Sequence, residues 1–334
     1  YIQLARLYGA LGEKEKAIFV YKKGLDIGFD PELEDVKKIQ QGLDVLEKRF
    51  SGSMNFISKQ DSNFALTIPA RTDFSNILAI DLSYVLFRKR AFEIPVSYFQ
   101  NTTPFYRSQI FFSNHGVSLG IQQNLSYALS YKLDARYNVS ISEGSGLSSL
   151  QTRGSGSMTY RRRIPTSSSL TYHYSDMVFD GNKNLNRTGQ HIEHSFAHTL
   201  SFTDSLSFSY AFISQDVPKA RDNTYQGHNI NLQAQRRLPN NTFLRISGEL
   251  GQDNFLHTDT VGSKKRRNLM YAYGAGLTVP WSPSISLTFD YLFRKNKSNL
   301  GPTPISDQDI IQGRTSALGD YQKRVWTVGV NVVF

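Results

Sequence analysis

From about Ser53 to the C-terminus the chain alternates apolar and polar side chains with a period of two. Between Leu125 and Ile141 one set of positions is Leu125, Tyr127, Leu129, Tyr131, Leu133, Ala135, Tyr137, Val139 and Ile141. The interleaved set is Ser126, Ala128, Ser130, Lys132, Asp134, Arg136, Asn138 and Ser140. Alternate residues of a strand share a face, so the pattern predicts a long strand that is greasy on one side and polar on the other. Strands of soluble sheets rarely exceed about 10 residues. Ser284 to Arg294 repeats the design, with Ile285, Leu287, Phe289, Tyr291 and Phe293 set against Ser284, Ser286, Thr288, Asp290 and Arg294. The last stretch opposes Trp326, Val328, Val330, Val332 and Phe334 to Thr327, Gly329 and Asn331.

Before Ser53 the period is helical. Leu4, Leu7, Tyr8 and Leu11 recur at helix spacing, Gly12 interrupts, and Ala17, Tyr21 and Leu25 resume. Asp30-Pro31 opens a third predicted helix carrying Leu33, Val36, Leu43 and Leu46 on one side. The pattern divides the chain into a helical segment over 1–50 and a β domain over 51–334.

Connections in the β domain are alternately tight and long. The tight ones fall at Arg88-Lys89-Arg90, Gln123-Asn124, Pro165-Thr166, Thr203-Asp204, Pro239-Asn240-Asn241 and Ser282-Pro283. Long, polar ones are expected around 143–157, 177–188, 215–226, 255–268 and 297–321. About 14 strands result, an even number that puts both ends of the sheet on one side, as in barrels with short periplasmic turns and long outer loops.

A spanning helix needs about 20 apolar residues, and no run approaches that, whereas a strand crosses hydrocarbon with about 9 to 11. Hydrophobic content is only 39%, yet aromatics reach 13%, which suits rings spent on an outer surface better than a large dry core. The fold expected is therefore mainly β: a transmembrane antiparallel β-barrel preceded by a short all-α segment. Charges cancel within residues 1–50, so the whole net charge of +10 belongs to the β domain. With no cysteine, disulfides, thiolate metal sites and cysteine nucleophiles are excluded. The chain opens inside a helix with no leader ahead of Tyr1, and a processed or truncated start is expected.

Leu4, Ala5, Tyr8, Gly12, Ala17, Tyr21 and Gly24, with Pro31 beyond them, resemble one tetratricopeptide repeat and a capping helix. The terminal Phe334 after an alternating strand, with Trp326, is similar to the closing strand of outer-membrane barrels. Helical repeats ahead of a barrel resemble two designs, the exopolysaccharide-export porins and the surface lipoprotein assembly modifiers. The resemblance implies an outer-membrane location in a Gram-negative bacterium, with the repeats in the periplasm. It implies a translocation pore for a surface lipoprotein or exopolysaccharide received through the repeats, with Ile2 and Arg6 near the repeat groove. Its implied partners are outer-membrane lipid and lipopolysaccharide, the periplasmic protein or polymer cargo, and the barrel-assembly machinery. The alternative is a non-conducting anchor that binds partners through repeats and outer loops.

An open sheet edge does not survive in hydrocarbon, so the sheet is expected to close and its polar face to line an interior. That lining contains Glu93, Lys132, Asp134, Arg136, Arg161, Arg163, Arg237, Arg245, Glu249, Asp290 and Arg294. Two readings fit: a pore whose field favours anionic or polar cargo, or ion pairs that brace the wall. The runs Arg161-Arg162-Arg163 and Lys264-Lys265-Arg266-Arg267 read as cargo capture and lipopolysaccharide contact, or as solvated charge at a turn and in an outer loop. Nucleic-acid binding is not expected, because the aromatics are committed to the lipid face. His191, His194 and His198 do not form a metal site: His194 and His198 lie about 13 Å apart along a strand and His191 points the other way. No cofactor is called for. Gly144-Ser145-Gly146 and Gly154-Ser155-Gly156-Ser157 read as loop punctuation rather than a nucleophile elbow. His115, Asp176, His257 and Asp259 are scattered hydrolase candidates, and no enzyme activity is expected.

Overall fold

The computed structural model describes residues 1–10, 14–25, 49–62, 73–89, 92–106, 110–126, 128–143, 147–162, 166–180, 183–258, 264–300 and 320–334. The segment predicted as a third helix, with Leu33, Val36, Leu43 and Leu46, lies outside them, as do Arg163 and Asp259.

Helices α1 (Ile2–Ala10) and α2 (Lys14–Leu25) pack against each other around Ala5, Val20 and Tyr21, with Ile2, Tyr8 and Ile18 against that cluster. Of the expected positions, Ala5, Ala17 and Tyr21 are buried and Tyr8 packs against them, whereas Leu4 and Leu7 are not. Small Ala5 and Ala17 are fully buried and bring the backbones close, while Leu4, Leu7 and Phe19 are exposed. Ile2, expected near a repeat groove, is partly buried against that cluster, and Arg6 is exposed.

The β domain comprises β1 (Phe50–Asp61), β2 (Asp73–Lys89), β3 (Phe92–Phe105), β4 (Ile110–Asn124), β5 (Leu129–Glu143), β6 (Leu147–Arg162) and β7 (Thr166–Asp180). It continues with β8 (Arg187–Thr199), β9 (Asp204–Asp216), β10 (Tyr225–Arg237), β11 (Phe243–Thr258), β12 (Lys265–Ser282), β13 (Ile285–Ser298) and β14 (Tyr321–Val333). These fourteen strands, counted over the described residues, pair in chain order, each antiparallel to the next, and β1 pairs with β14 to close a barrel. The seam runs from Ser53↔Val333 to Asp61↔Val325 and is extended by paired backbone bonds between Gly52 and Phe334 at 2.9 and 3.0 Å. The Phe334 ring lies over Gly52, where an added Cβ would come within 2.6 Å of it. Closure satisfies every strand on both sides, which is what hydrocarbon demands of a sheet.

Short connections join β2 to β3, β4 to β5, β6 to β7, β8 to β9, β10 to β11 and β12 to β13, each within a few residues of its expected place; Gln123 and Asn124, expected as a turn, end β4 instead. Both chain ends of the barrel lie on that side, hereafter the turn end. In the Pro239–Asn241 turn, Asn240 and Asn241 adopt φ of 59° and 57°, a conformation asparagine tolerates well. The 143–157 loop does not exist as expected: β6 begins at Leu147, and Gly154-Ser155-Gly156-Ser157 lies within it. Leu133 and Tyr172 flank Gly156 across the sheet, and Tyr174 borders Gly154 on one side with Ala135 on the other. The strand expected from Leu125 begins at Leu129, because Leu125 and Ser126 form the β4–β5 turn through backbone bonds to Leu129. Lys265, Arg266 and Arg267 open β12 rather than lying in an outer loop. Connections over 62–72 and 106–109 were not among those anticipated.

Register assigns every strand an outward and an inward face. The middle of the outward face is apolar, with Met54, Leu78, Val117, Leu119, Leu133, Met158, Leu170, Ile192, Leu232, Ile246, Leu250 and Val328 exposed. In the described strands its Asp, Glu, Lys and Arg residues lie towards the strand ends, Asp176 of β7 reaching furthest in, between outward Tyr174 and Val178. Exposed Phe50, Tyr84, Phe87, Tyr160, Phe202 and Trp281 ring the turn end; Phe74, Tyr106 and Trp326 lie towards the opposite, loop end. Such girdles bound the apolar belt of membrane barrels. Two irregularities feed the girdle: the register shifts between Val85 and Phe87 and between Pro280 and Ser282, and the bulges turn Leu86 and Trp281 outward.

Candidate functional site: the barrel interior

Glu93, Lys132, Asp134, Arg136, Arg161, Arg237, Arg245, Glu249, Asp290 and Arg294 all fall on the inward register. They are not equivalent. Three stand at the turn end: Glu93 pairs with Arg88 at 2.8 Å, Arg237 donates from Nε to the Asn241 side chain of the adjoining turn at 3.0 Å, and Arg161 is exposed. The others occupy two walls of different character.

On the wall formed by β10 to β14 and β1, charges are paired. Arg245 on β11 reaches across β12 to Asp290 on β13 at 2.7 Å, and Arg294 on β13 reaches back to Glu249 on β11 at 3.1 Å. Residues two strands apart are about 10 Å apart, so such bridges need long side chains and small ones between. Gly276 and Ala272 of β12 stand at those positions, and a Cβ at 276 would collide with the Asp290 carboxylate. Asn229 donates to the other oxygen of Glu249 at 2.7 Å. Asp61 accepts from Lys323 at 3.2 Å and faces Lys59 at 3.7 Å, which carries the network across the seam. This wall matches the bracing alternative.

On the wall from β3 to β7 the charges are not paired. Lys132, Asp134 and Arg136 of β5, with Arg153 and Ser155 of β6 and His173 of β7, line a recess of about 210 Å³ together with Pro95, Ser97, Ser118 and Gly120. Asp134 accepts a hydrogen bond from Ser155 Oγ. Among the described residues, Lys132, Arg136 and Arg153 have no carboxylate within ion-pair distance. The Arg136 guanidinium lies over the Phe99 ring, 4.4 Å from its centre. Phe99 lies directly opposite Gly116, where a Cβ would collide with the ring. The imidazoles of His173 and His191 face each other at 5.4 Å, and His191 stands 3.9 Å from Glu193.

Near the loop end, Arg266 is buried to 1% exposure with its guanidinium 3.5 Å from the centre of the Phe255 ring, and Arg187 sits over Phe179. The run Lys264–Arg267 is therefore split: Arg266 is structural and inward, while Arg267 is exposed, donating to Gln252 at 2.8 Å. His194 and His198 face outward and His191 inward, as the alternation requires; Ser168 and Thr166 hydroxyls lie 2.8 Å from their ring nitrogens. Among the described residues no group of acids and histidines could hold a metal ion. His115 on β4 is engaged by Tyr98 and Ser113, and lies strands away from Asp176 and His257.

Alternation alone points to Arg153, His173, Lys59, Asp61 and Lys323, which share the inward register but were not singled out. Arg153 was hidden by reading the Gly/Ser-rich 143–157 stretch as a loop.

A closed sheet, predominantly apolar around its outer middle and charged within, is the architecture of a transmembrane β-barrel. Solved structures similar to this chain include the CymD monoaromatic hydrocarbon channel, at 12% identity and TM-score 0.48, covering 88% of this chain and 90% of that one. The outer membrane channel DcaP of Acinetobacter baumannii is similar at 8% identity and TM-score 0.49, over 85% of this chain and 96% of that one. A Pseudomonas aeruginosa FadL homologue is similar at 9% and 0.46, over 86% and 90%. No family model and no curated protein sequence matches the chain.

Proposed function

We propose that this protein is an outer-membrane channel whose interior favours negatively charged or polar solutes. The observation that carries the reading is the contrast between a lipid-compatible exterior and an interior wall bearing Lys132, Arg136 and Arg153 without ion-pair partners. Fourteen strands about 4.8 Å apart and tilted about 40° enclose a backbone cylinder of roughly 14 Å radius, which leaves a lumen after side chains are placed. At the loop end the β9–β10 connection reaches over this interior, its Asn223 accepting from inward Arg266 at 3.5 Å. Cationic walls raise the local concentration of anions and lower their barrier to passage.

The test is reconstitution in planar bilayers. Stepwise single-channel currents are expected, with a reversal potential in a KCl gradient that reports chloride preference. Arg136→Glu and Arg153→Glu are each expected to move that potential towards potassium. A correctly folded barrel without current steps would replace the channel with the anchor alternative.

A second reading makes the cargo a polymer, a surface lipoprotein or exopolysaccharide handed over by tetratricopeptide repeats. What favours it is the helix pair, which leaves Leu4, Leu7 and Phe19 exposed as a repeat unit does before a neighbour stacks on it. Deleting the gene and assaying surface polysaccharide and surface lipoprotein side by side separates the two cargoes; loss of neither removes this reading.

A further inference from the structure

Arg136 and Arg153 are direct cross-strand partners on β5 and β6. Like charges so placed repel and weaken a sheet. The opposite wall shows what this barrel does when bracing is the need: Arg245 and Arg294 each receive a carboxylate. Around Arg136 and Arg153 the neighbouring positions are instead small. Ser118 stands across from Arg136 on β4 and Ser175 across from Arg153 on β7, and Ser97, Gly120 and Ser155 complete the floor. Small residues around two long cations leave open space in front of the guanidinium groups.

The geometry also presets one of the donors. Gly116 leaves room for the Phe99 ring, and the ring lies beneath the Arg136 guanidinium, 4.4 Å from it, a cation–π contact that positions the cation without using its N–H groups. The Arg136 Nε is buried, so the donors this residue turns to the recess are those of its two terminal amino groups. Asp134, the carboxylate in the lining, is engaged by Ser155, and Lys132 adds positive charge beside it. His173 closes the far side, with its Nδ1 also buried and unpartnered.

We propose that this recess binds an oxyanion, the carboxylate or phosphate group of a small solute, held between Arg136 and Arg153. Planar guanidinium forks match the paired oxygens of both groups, and the space of about 210 Å³ admits a phosphate or short dicarboxylate. The assignment deepens the channel reading by naming the solute chemistry, but binding itself requires only the closed barrel.

The experiment is calorimetric titration of the full chain, refolded in detergent, with inorganic phosphate and separately with succinate at low salt. Folding of each variant is checked by its mobility in unheated dodecyl sulfate gels. Saturable binding of at least one probe is expected, and the tighter one names the head group. Losing one charge-assisted contact is expected to weaken binding roughly ten- to a hundred-fold in Arg136→Gln and in Arg153→Gln. Arg221→Gln, the same charge change in the β9–β10 connection, is expected to leave it within about two-fold of the wild type. Arg153→Lys is expected to recover part of the loss, since charge returns without the fork. Arg153 makes no ion pair, so its variants are readable even if Arg136→Gln fails to fold. Absence of saturable binding, or equal weakening by Arg221→Gln, would overturn the site. Parallel bilayer recordings keep the two ideas apart: current without binding defeats the site and leaves the channel, and binding without current defeats the channel and leaves the site.

Discussion

At the scale of single residues, glycine decides where this barrel can be tight. Gly116 and Gly276 face inward and make room for Phe99 and for the Arg245–Asp290 bridge. Gly52 does the same at the seam, where the Phe334 ring occupies the space a side chain would need. Gly52→Val is expected to push Phe334 off the seam and to cost about 1–3 kcal/mol, the usual range for overpacking. The check is the urea midpoint in lipid vesicles, with Ser58→Val, an outward position on the same strand, as reference; equal midpoints would show that Phe334 does not lock the closure. The charged residues were legible one by one wherever alternation was unbroken, as at Lys132, Asp134 and Arg136. Which of them find a partner was not legible, because partners such as Arg294 and Glu249 are 45 residues apart in the chain and meet only across an intervening strand.

At the scale of elements, strand direction and facing follow from period, so a change of one position changes the solvent a side chain meets. Leu232 faces outward in the middle of β10, and Asn231 beside it faces inward opposite Glu249. Leu232→Arg is expected to destabilise the folded barrel by about 2–4 kcal/mol, the cost of a cation at the bilayer midplane. Asn231→Arg is expected to be tolerated, with a carboxylate in reach. Paired unfolding curves in vesicles decide it, and equal costs at the two positions would contradict the facing of β10. Strand ends were less legible than strand middles. Residues 143–157 looked like a loop because Gly and Ser carry a turn-like composition, yet most of them lie within β6, where cross-strand pairing on both sides outweighs local preference. In the helix pair the small and aromatic positions Ala5, Ala17, Tyr8 and Tyr21 pack as the sequence pattern indicates, and only Leu4 and Leu7 depart from it, because two alanines permit a close approach that leaves the leucines outside.

At the scale of the whole molecule, closure couples every strand to two neighbours and leaves no edge from which unfolding can begin. The chain is therefore expected to migrate as a compact species in unheated dodecyl sulfate and as an extended one after boiling. Mobility that does not change with heating would count against a closed barrel. Charge is distributed unevenly around the same wall: β10 to β14 and β1 carry a network of ion pairs, and the cations of β3 to β7 face the interior without carboxylate partners. No summation of composition reveals that division, since +10 is the same number whether the excess is spread or gathered.

What the sequence by itself determined is the class of solvent on each side of the sheet, the number of strands, the six tight turns and the inward parity of the charged residues. These follow from a period of two, which is local and needs no distant partner to be read. What only the tertiary structure decided is the company each inward residue keeps. Strand curvature and cross-strand register bring Arg136 to Phe99 and Arg153, and Arg245 to Asp290, and those meetings depend on distances in space that the order of residues does not state.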